Sequence, residues 1–232
     1  MGRARQRDEG LYDLRYAAVL FDLDGTLIDS EQDLTASVKH ALRLVDDRKP
    51  PPDDAIIMEI GKPLEVILGN LGYPNDHETA AEFATGYREY YAEHCSDHTR
   101  PYPLTMEVLA LLAEAGVRLA LVTTKQQLQA ELVVKGVGLH DFFSYVHGWR
   151  EGLKHKPDPE PVLIALGKLG VQPPEALMVG DTEQDILAAK AAGVATCAVT
   201  YGFRPPMLLR TLKPDYTVTR ITDVVHIVLA ET

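Results

Sequence analysis

The sequence predicts an α/β protein built on a parallel sheet, with a helical segment inserted after the first sheet strand, and three observations predict it. The short apolar run Ala17-Ala18-Val19-Leu20-Phe21 has the make-up of a strand buried on both faces. From Thr105 onward, strand-like apolar runs alternate with helical patterns, the signature of a parallel sheet with right-handed crossovers. Between these regions lie roughly 70 residues of helical patterning without a convincing parallel strand, too many for a simple loop.

The first strand ends at Gly25. Beyond it Leu34, Val38, Ala41, Leu42 and Val45 recur at helical spacing, and Lys49-Pro50-Pro51-Pro52-Asp53-Asp54 stops that helix. Helical patterning resumes to about Cys95. Residues 31–100 are therefore expected to form a helical cap, and residues 16–30 with 101–232 the core. Hinges are expected near Leu27 to Glu31 and near Arg100 to Pro103, where Pro101 and Pro103 stiffen the return. Further core strands are expected at residues 117–123, 142–147, 176–180, 194–199 and 215–218. Met106, Leu109, Leu112 and Ala113 make an apolar helix face for packing on the sheet.

With 46% hydrophobic residues over 232 positions the chain can fill a sizeable core. A net charge of −11 argues against a nucleic-acid backbone as partner, while a local cation still admits small phosphorylated substrates. Cys95 and Cys197 stand apart without metal-ligand spacing, as buried packing residues of a reducing compartment do. No stretch is long and apolar enough to span a membrane, and the N-terminus has no apolar signal core, so a cytoplasmic location is expected. Arg3, Arg5 and Arg7 are followed at once by Asp8 and Glu9, and residues 1–15 read as a disordered tail rather than a targeting peptide.

The chemistry concentrates at Phe21-Asp22-Leu23-Asp24-Gly25-Thr26-Leu27, where two carboxylates stand at the end of the first strand. That edge is where open α/β sheets bind ligands. Two anions so close repel by roughly 4 kcal/mol at an effective dielectric of about 20, so the pair calls for a cation or a shared proton. Further acids downstream favour a metal.

Three more segments follow: Leu119-Ala120-Leu121-Val122-Thr123-Thr124-Lys125, Lys154-His155-Lys156-Pro157-Asp158-Pro159-Glu160-Pro161, and Val179-Gly180-Asp181-Thr182-Glu183-Gln184-Asp185. Their content and order resemble the four motifs of the haloacid dehalogenase superfamily, and the resemblance runs from about Tyr16 to the end. It implies a Rossmann-like core with an inserted α-helical cap. It also implies an enzyme that uses Mg2+ to hydrolyse a small phosphomonoester through an aspartyl-phosphate. By resemblance Asp22 is the nucleophile and Asp24 the acid and base. Asp22, the Asp24 carbonyl and Asp181 hold Mg2+, Thr123, Thr124 and Lys156 meet the phosphate, and Asp185 steadies Lys156 or a metal-bound water.

Within the superfamily Gly61-Lys62-Pro63-Leu64, Val199-Thr200-Tyr201-Gly202 and Pro214-Asp215-Tyr216 are similar to phosphoglycolate phosphatase-like members. Pro101-Tyr102-Pro103-Leu104 departs from them, since such proteins usually carry glycine after the second proline. A sugar-phosphate mutase, a pyrophosphatase and a non-catalytic binding protein are the alternatives on the same core. Lys62 is either a solvated lysine or the cation that a closing cap loop brings to the far end of a small carboxylated ester. His94, His98, His147 and His155 form no metal set by spacing, although His155 adjoins Lys156; Trp149 is expected to pack. The expected partner is a small phosphorylated metabolite, with neither nucleic acid nor membrane, and monomer and dimer both stay open.

Overall fold

The computed structural model describes residues 13–230. In chain order the elements are β1 (Asp13–Leu14), β2 (Ala18–Phe21), β3 (Ile28–Asp29), α1 (Glu31–Val45), α2 (Asp53–Ile57), α3 (Leu64–Asn70), α4 (His77–His94) and β4 (Arg100–Pro101). There follow α5 (Thr105–Glu114), β5 (Arg118–Gln126), α6 (Gln127–Gly136), β6 (Tyr145–Trp149), α7 (Glu160–Leu169), β7 (Ala176–Gly180) and α8 (Glu183–Ala191). The chain closes with β8 (Ala195–Val199), α9 (Pro206–Thr211), β9 (Tyr216–Val218), α10 (Asp223–Val228) and β10 (Leu229–Ala230).

Six strands form one parallel sheet in the order β6-β5-β2-β7-β8-β9. All four residues of β2 are buried, because the strand is central and covered on both faces, which is why its sequence is apolar without alternation. β5 lies on one side of β2 and β7 on the other, with Phe21 opposite both Leu121 and Val179. The chain reverses its direction of winding across β2, and such a switch point leaves a crevice at the carboxyl ends of the strands. Asp22, Thr123 and Asp181 all lie at that edge.

From Glu31 to His94 the described elements are helices alone. The α4 residues Phe83, Tyr87 and Tyr91 are buried, as are Leu34, Val38, Ala41 and Leu42 on α1. The apolar stripe read on α1 thus has its partner in α4. The two linkers of this helical segment are not free loops. β3 and β4 pair antiparallel, Ile28 opposite Pro101 and Asp29 opposite Arg100. Buried Asp33 in the first turn of α1 accepts from the His98 and Thr99 backbone N–H groups and from Thr99 Oγ1 at 2.7 Å. Burial opposes its charge, but these hydrogen bonds hold its carboxyl below the usual range.

Two expectations about the tail and the strand starts change. Residues 1–12 of the expected tail lie outside the described residues, but Asp13 and Leu14 pair with Ala230 and Leu229. Phe142 ends a short 3-10 turn over His140–Phe142, and the strand begins only at Tyr145. Leu104, which follows Pro103, adopts a left-handed conformation at φ 66° before α5. A residue with a β-carbon pays about 1–2 kcal/mol for that.

Candidate active site

Asp22 follows β2 directly, and its Oδ1 accepts from Lys156 Nζ at 2.8 Å. The same ammonium donates to the Val122 carbonyl at 2.8 Å and to Asp185 Oδ1, so its three protons are all used. Asp185, in the first turn of α8, accepts through its other oxygen from the Thr182 N–H at 3.0 Å and hydroxyl at 2.7 Å. A helix-capping arrangement thereby doubles as the anchor of the lysine.

Asp181, directly after β7, is fully buried. Thr26 Oγ1 donates to its Oδ1 at 3.0 Å and the Phe203 N–H to its Oδ2 at 2.8 Å. Gly25, at φ 80°, and Gly202 press on the same carboxylate; a β-carbon on either would overlap it. Tyr201 donates to the Thr26 carbonyl at 2.8 Å and fixes this loop against the first motif.

Carboxylate oxygens of Asp22, Asp181 and Asp185 gather within 4.8 Å of one another. Burial pushes the Asp22 carboxyl up to about 7, with the charges of Asp185 and Asp24 adding to the rise and Lys156 opposing it. Burial, then Asp22 and Asp185, push Asp181 well above the carboxylate range. Burial disfavours the Lys156 charge, but Asp185 and Asp22 outweigh it and hold the lysine above its ordinary value. With all three acids ionised, one ammonium would leave negative charge uncompensated, and burial favours the protonated forms of Asp22 and Asp181. Hard oxygen donors of this kind suit a hard divalent cation, and Asp185 is already engaged by Lys156 and Thr182. Of the three acids, Asp22 and Asp181 could hold such an ion.

The Asp24 side chain is engaged elsewhere. Ser30 Oγ donates to its Oδ1 at 2.7 Å, and Lys125 Nζ lies 3.2 Å from its Oδ2. Lys125 also donates to Tyr91 Oη at 2.7 Å, so helix α4 reaches a residue in contact with Asp24. Thr123 is buried, and its Oγ1 accepts from the Lys125 N–H at 3.2 Å, leaving the hydroxyl proton to donate. Thr124 and Lys62 line a cavity of about 110 Å³ that also borders Asp24, Lys125 and His155. Lys62 Nζ is not a free charge there. It pairs with Glu59 Oε2 at 2.8 Å, an oxygen that Asn70 also occupies.

His155 and Lys156 point apart: the lysine reaches Asp22, while His155 stacks on Trp149 at 4.8 Å as part of the cavity wall. The four histidines are not gathered. His94 pairs with Asp97, His98 with Asp33, and burial pushes His147 down to about 4.

The sequence reading missed Ser30, Lys125 and Arg204. Lys125 sits beside the strand-end hydroxyls, so its position was a signal. Arg204 gave none, because its partners are backbone carbonyls distant in sequence. Its side chain is fully buried. It donates to the Ile57 carbonyl at 2.9 Å, to the Ile60 carbonyl at 2.7 Å and to Glu183 Oε2 at 2.7 Å.

A carboxylate held against a buried lysine, with two further buried acids at a sheet switch point, is an arrangement suited to a hydrolase of the phosphatase type. The family model described as haloacid dehalogenase-like hydrolase matches residues 19–199, and the chain belongs to that family. It is 36% identical over 215 residues to a phosphoglycolate phosphatase of Neisseria gonorrhoeae, covering 89% of this chain and 91% of the relative. It is 35% identical to pyrophosphatase PpaX of Bacillus velezensis, covering 93% and 97%. A haloacid dehalogenase-like family hydrolase from Streptococcus pneumoniae superposes with a TM-score of 0.83 at 26% identity, covering 92% of this chain and 98% of that one. Among the described residues no helix is long and apolar enough to cross a membrane.

Proposed function

We propose that this phosphatase is Mg2+-dependent and hydrolyses a small phosphomonoester through an aspartyl-phosphate on Asp22. The observation that carries the reading is the buried Asp22–Lys156–Asp185 arrangement beside Asp181. An Asp22 oxygen attacks phosphorus and the bond to the leaving oxygen breaks, while Asp24 delivers the proton that the leaving oxygen takes up. Asp24 then accepts a proton from water, the water oxygen attacks phosphorus, and the bond to Asp22 breaks. Lys156 neutralises charge on Asp22 and on the phosphoryl oxygens, Thr123 donates to them, and Asp185 keeps Lys156 in place. Asp22, Asp181 and the Asp24 carbonyl would hold Mg2+, which would supply the charge screening that lets one anion approach another.

The cavity beside Asp24, of about 110 Å³, has room for a small molecule, which suits a small phosphorylated metabolite. Relatives named phosphoglycolate phosphatase and pyrophosphatase stand at nearly equal identity, and both names describe substrates whose leaving part carries a second anion. A panel of phosphorylated metabolites with Mg2+, including 2-phosphoglycolate and pyrophosphate, identifies the ester. In acid-quench experiments Asp22→Asn is expected to form no phosphoenzyme, whereas Asp24→Asn slows turnover and lets the adduct accumulate. Full activity in excess EDTA, or an undiminished adduct in the Asp22 variant, would sink the proposal.

A further inference from the structure

The cavity beside Asp24 is bordered by three cations, Lys62, Lys125 and Arg88. Two of them are neutralised within the protein. Lys62 pairs with Glu59 at 2.8 Å, and Lys125 pairs with Asp24 at 3.2 Å while also donating to Tyr91. Arg88 differs: among the described residues its guanidinium makes no ion pair and no hydrogen bond. Glu65, which also borders the cavity, does not pair with it. The backbone at Arg88 is nonetheless held in place. It projects from α4 one residue after buried Tyr87, and its backbone carbonyl accepts from Gln129 Nε2 at 3.5 Å, joining α4 to α6 at the cavity.

We infer that Arg88 is the specificity-determining residue that receives the second anionic group of the substrate, a carboxylate or phosphate on the leaving part. The inference rests on the phosphatase reading of the same site and names the class of ester it takes. Asp22, Lys156 and Asp181 gather at the sheet edge where the reacting phosphoryl group is to be bound, so a second anion on a small ester extends away from them into the adjoining cavity. A lysine already paired with a carboxylate offers such an anion little, because binding must first displace the acid or accept its repulsion. An unpaired guanidinium presents two parallel N–H donors that match a carboxylate or phosphate edge at no such cost. The cavity thereby discriminates against esters whose leaving group is neutral.

The test compares turnover and binding in wild type, Arg88→Gln and Arg88→Lys, all with Mg2+. For turnover the substrates are 2-phosphoglycolate and 4-nitrophenyl phosphate, which lacks the second anion. Arg88→Gln is expected to lower kcat/KM for 2-phosphoglycolate by about 10- to 100-fold and to change the aryl ester by less than about 3-fold. Arg88→Lys is expected to recover part of the loss, since charge remains and the fork is gone. For binding, calorimetry compares 3-phosphonopropionate, which cannot be hydrolysed, with propylphosphonate, which lacks the carboxylate. The wild type is expected to prefer the carboxylated ligand by about 10-fold or more and Arg88→Gln to lose that preference. Equal losses for both esters in Arg88→Gln, equal affinities in the wild type, or no binding of either phosphonate overturns the inference. A wild type that hydrolyses no phosphomonoester yet keeps an Arg88-dependent preference in binding overturns the phosphatase reading and supports the ligand site.

Discussion

Lys156 Nζ, 2.8 Å from Asp22 Oδ1, joins residues 134 positions apart and spends its other protons on Asp185 and the Val122 carbonyl. The lysine is therefore a fixed counter-charge for one carboxylate oxygen of Asp22 and leaves the other oxygen to react or to hold a metal.

The buried acids around this lysine make stability depend on pH, and on Mg2+ if the proposed ion binds there. The Asp22 carboxyl rises from an ordinary 3.8 to about 7 on folding, so between those values the folded state binds the extra proton. Stability from this group is complete below its unfolded value and is lost as pH rises toward 7. His147, pushed down to about 4 by burial, acts in the opposite sense over part of the same range, so the Asp22 contribution is read as a difference between variants. In EDTA, Asp22→Asn is expected to gain on the wild type by about 1 kcal/mol per pH unit from pH 4 to 7. Denaturant titrations at pH 5, 6 and 7 check this. Mg2+ is expected to stabilise the wild type more at pH 7.5 than at pH 5, since its ligands must be deprotonated. A constant difference between the two proteins would refute the assignment.

Arg204 ties the loop after β8 to the carbonyls of Ile57 and Ile60, at the end of α2 and the turn that follows it. Arg204→Met would strand the Ile60 carbonyl, leave the Ile57 carbonyl with only the Ile60 N–H at 3.2 Å, and remove the partner of Glu183, at a cost of about 3 to 5 kcal/mol. The loss should appear in thermal and denaturant unfolding, with Arg204→Lys intermediate because one ammonium cannot reproduce the fork. A Met variant as stable as the wild type would show that the buried contacts are energetically neutral.

Leu104 is 53% exposed, so its side chain returns little for a left-handed backbone at φ 66°. Glycine there escapes the steric penalty and serves better as the residue preceding α5, against a larger loss of chain entropy on folding. Leu104→Gly is expected to raise stability by about 0.5 to 1 kcal/mol, whereas Leu104→Ala keeps the strain and gains nothing. Chemical denaturation of the three proteins decides, and a destabilised glycine variant rules the strain argument out.

The apolar runs ending at Asp22, Thr123 and Asp181 were legible because a doubly covered strand needs a continuous hydrophobic stretch and the polar residue after it marks the open edge. The helical stripe of α1 was legible for the same reason, since burial imposes a period on adjacent residues. Those local patterns determined the α/β class, the inserted helices and the acids at the sheet edge. The tertiary structure decided which charges remain free. Sequence left Lys62 open between a solvated lysine and a binding cation until Glu59 and Asn70 closed around it, and nothing in the sequence set Arg88 apart as the cavity cation that, among the described residues, makes no ion pair. Arg204 could be a latch only once Ile57 and Ile60 lay within reach of its guanidinium. The reason is physical: burial along one element leaves a periodic trace in sequence, whereas pairing between charges depends on distances across elements, and a few ångströms separate a neutralised cation from a binding one.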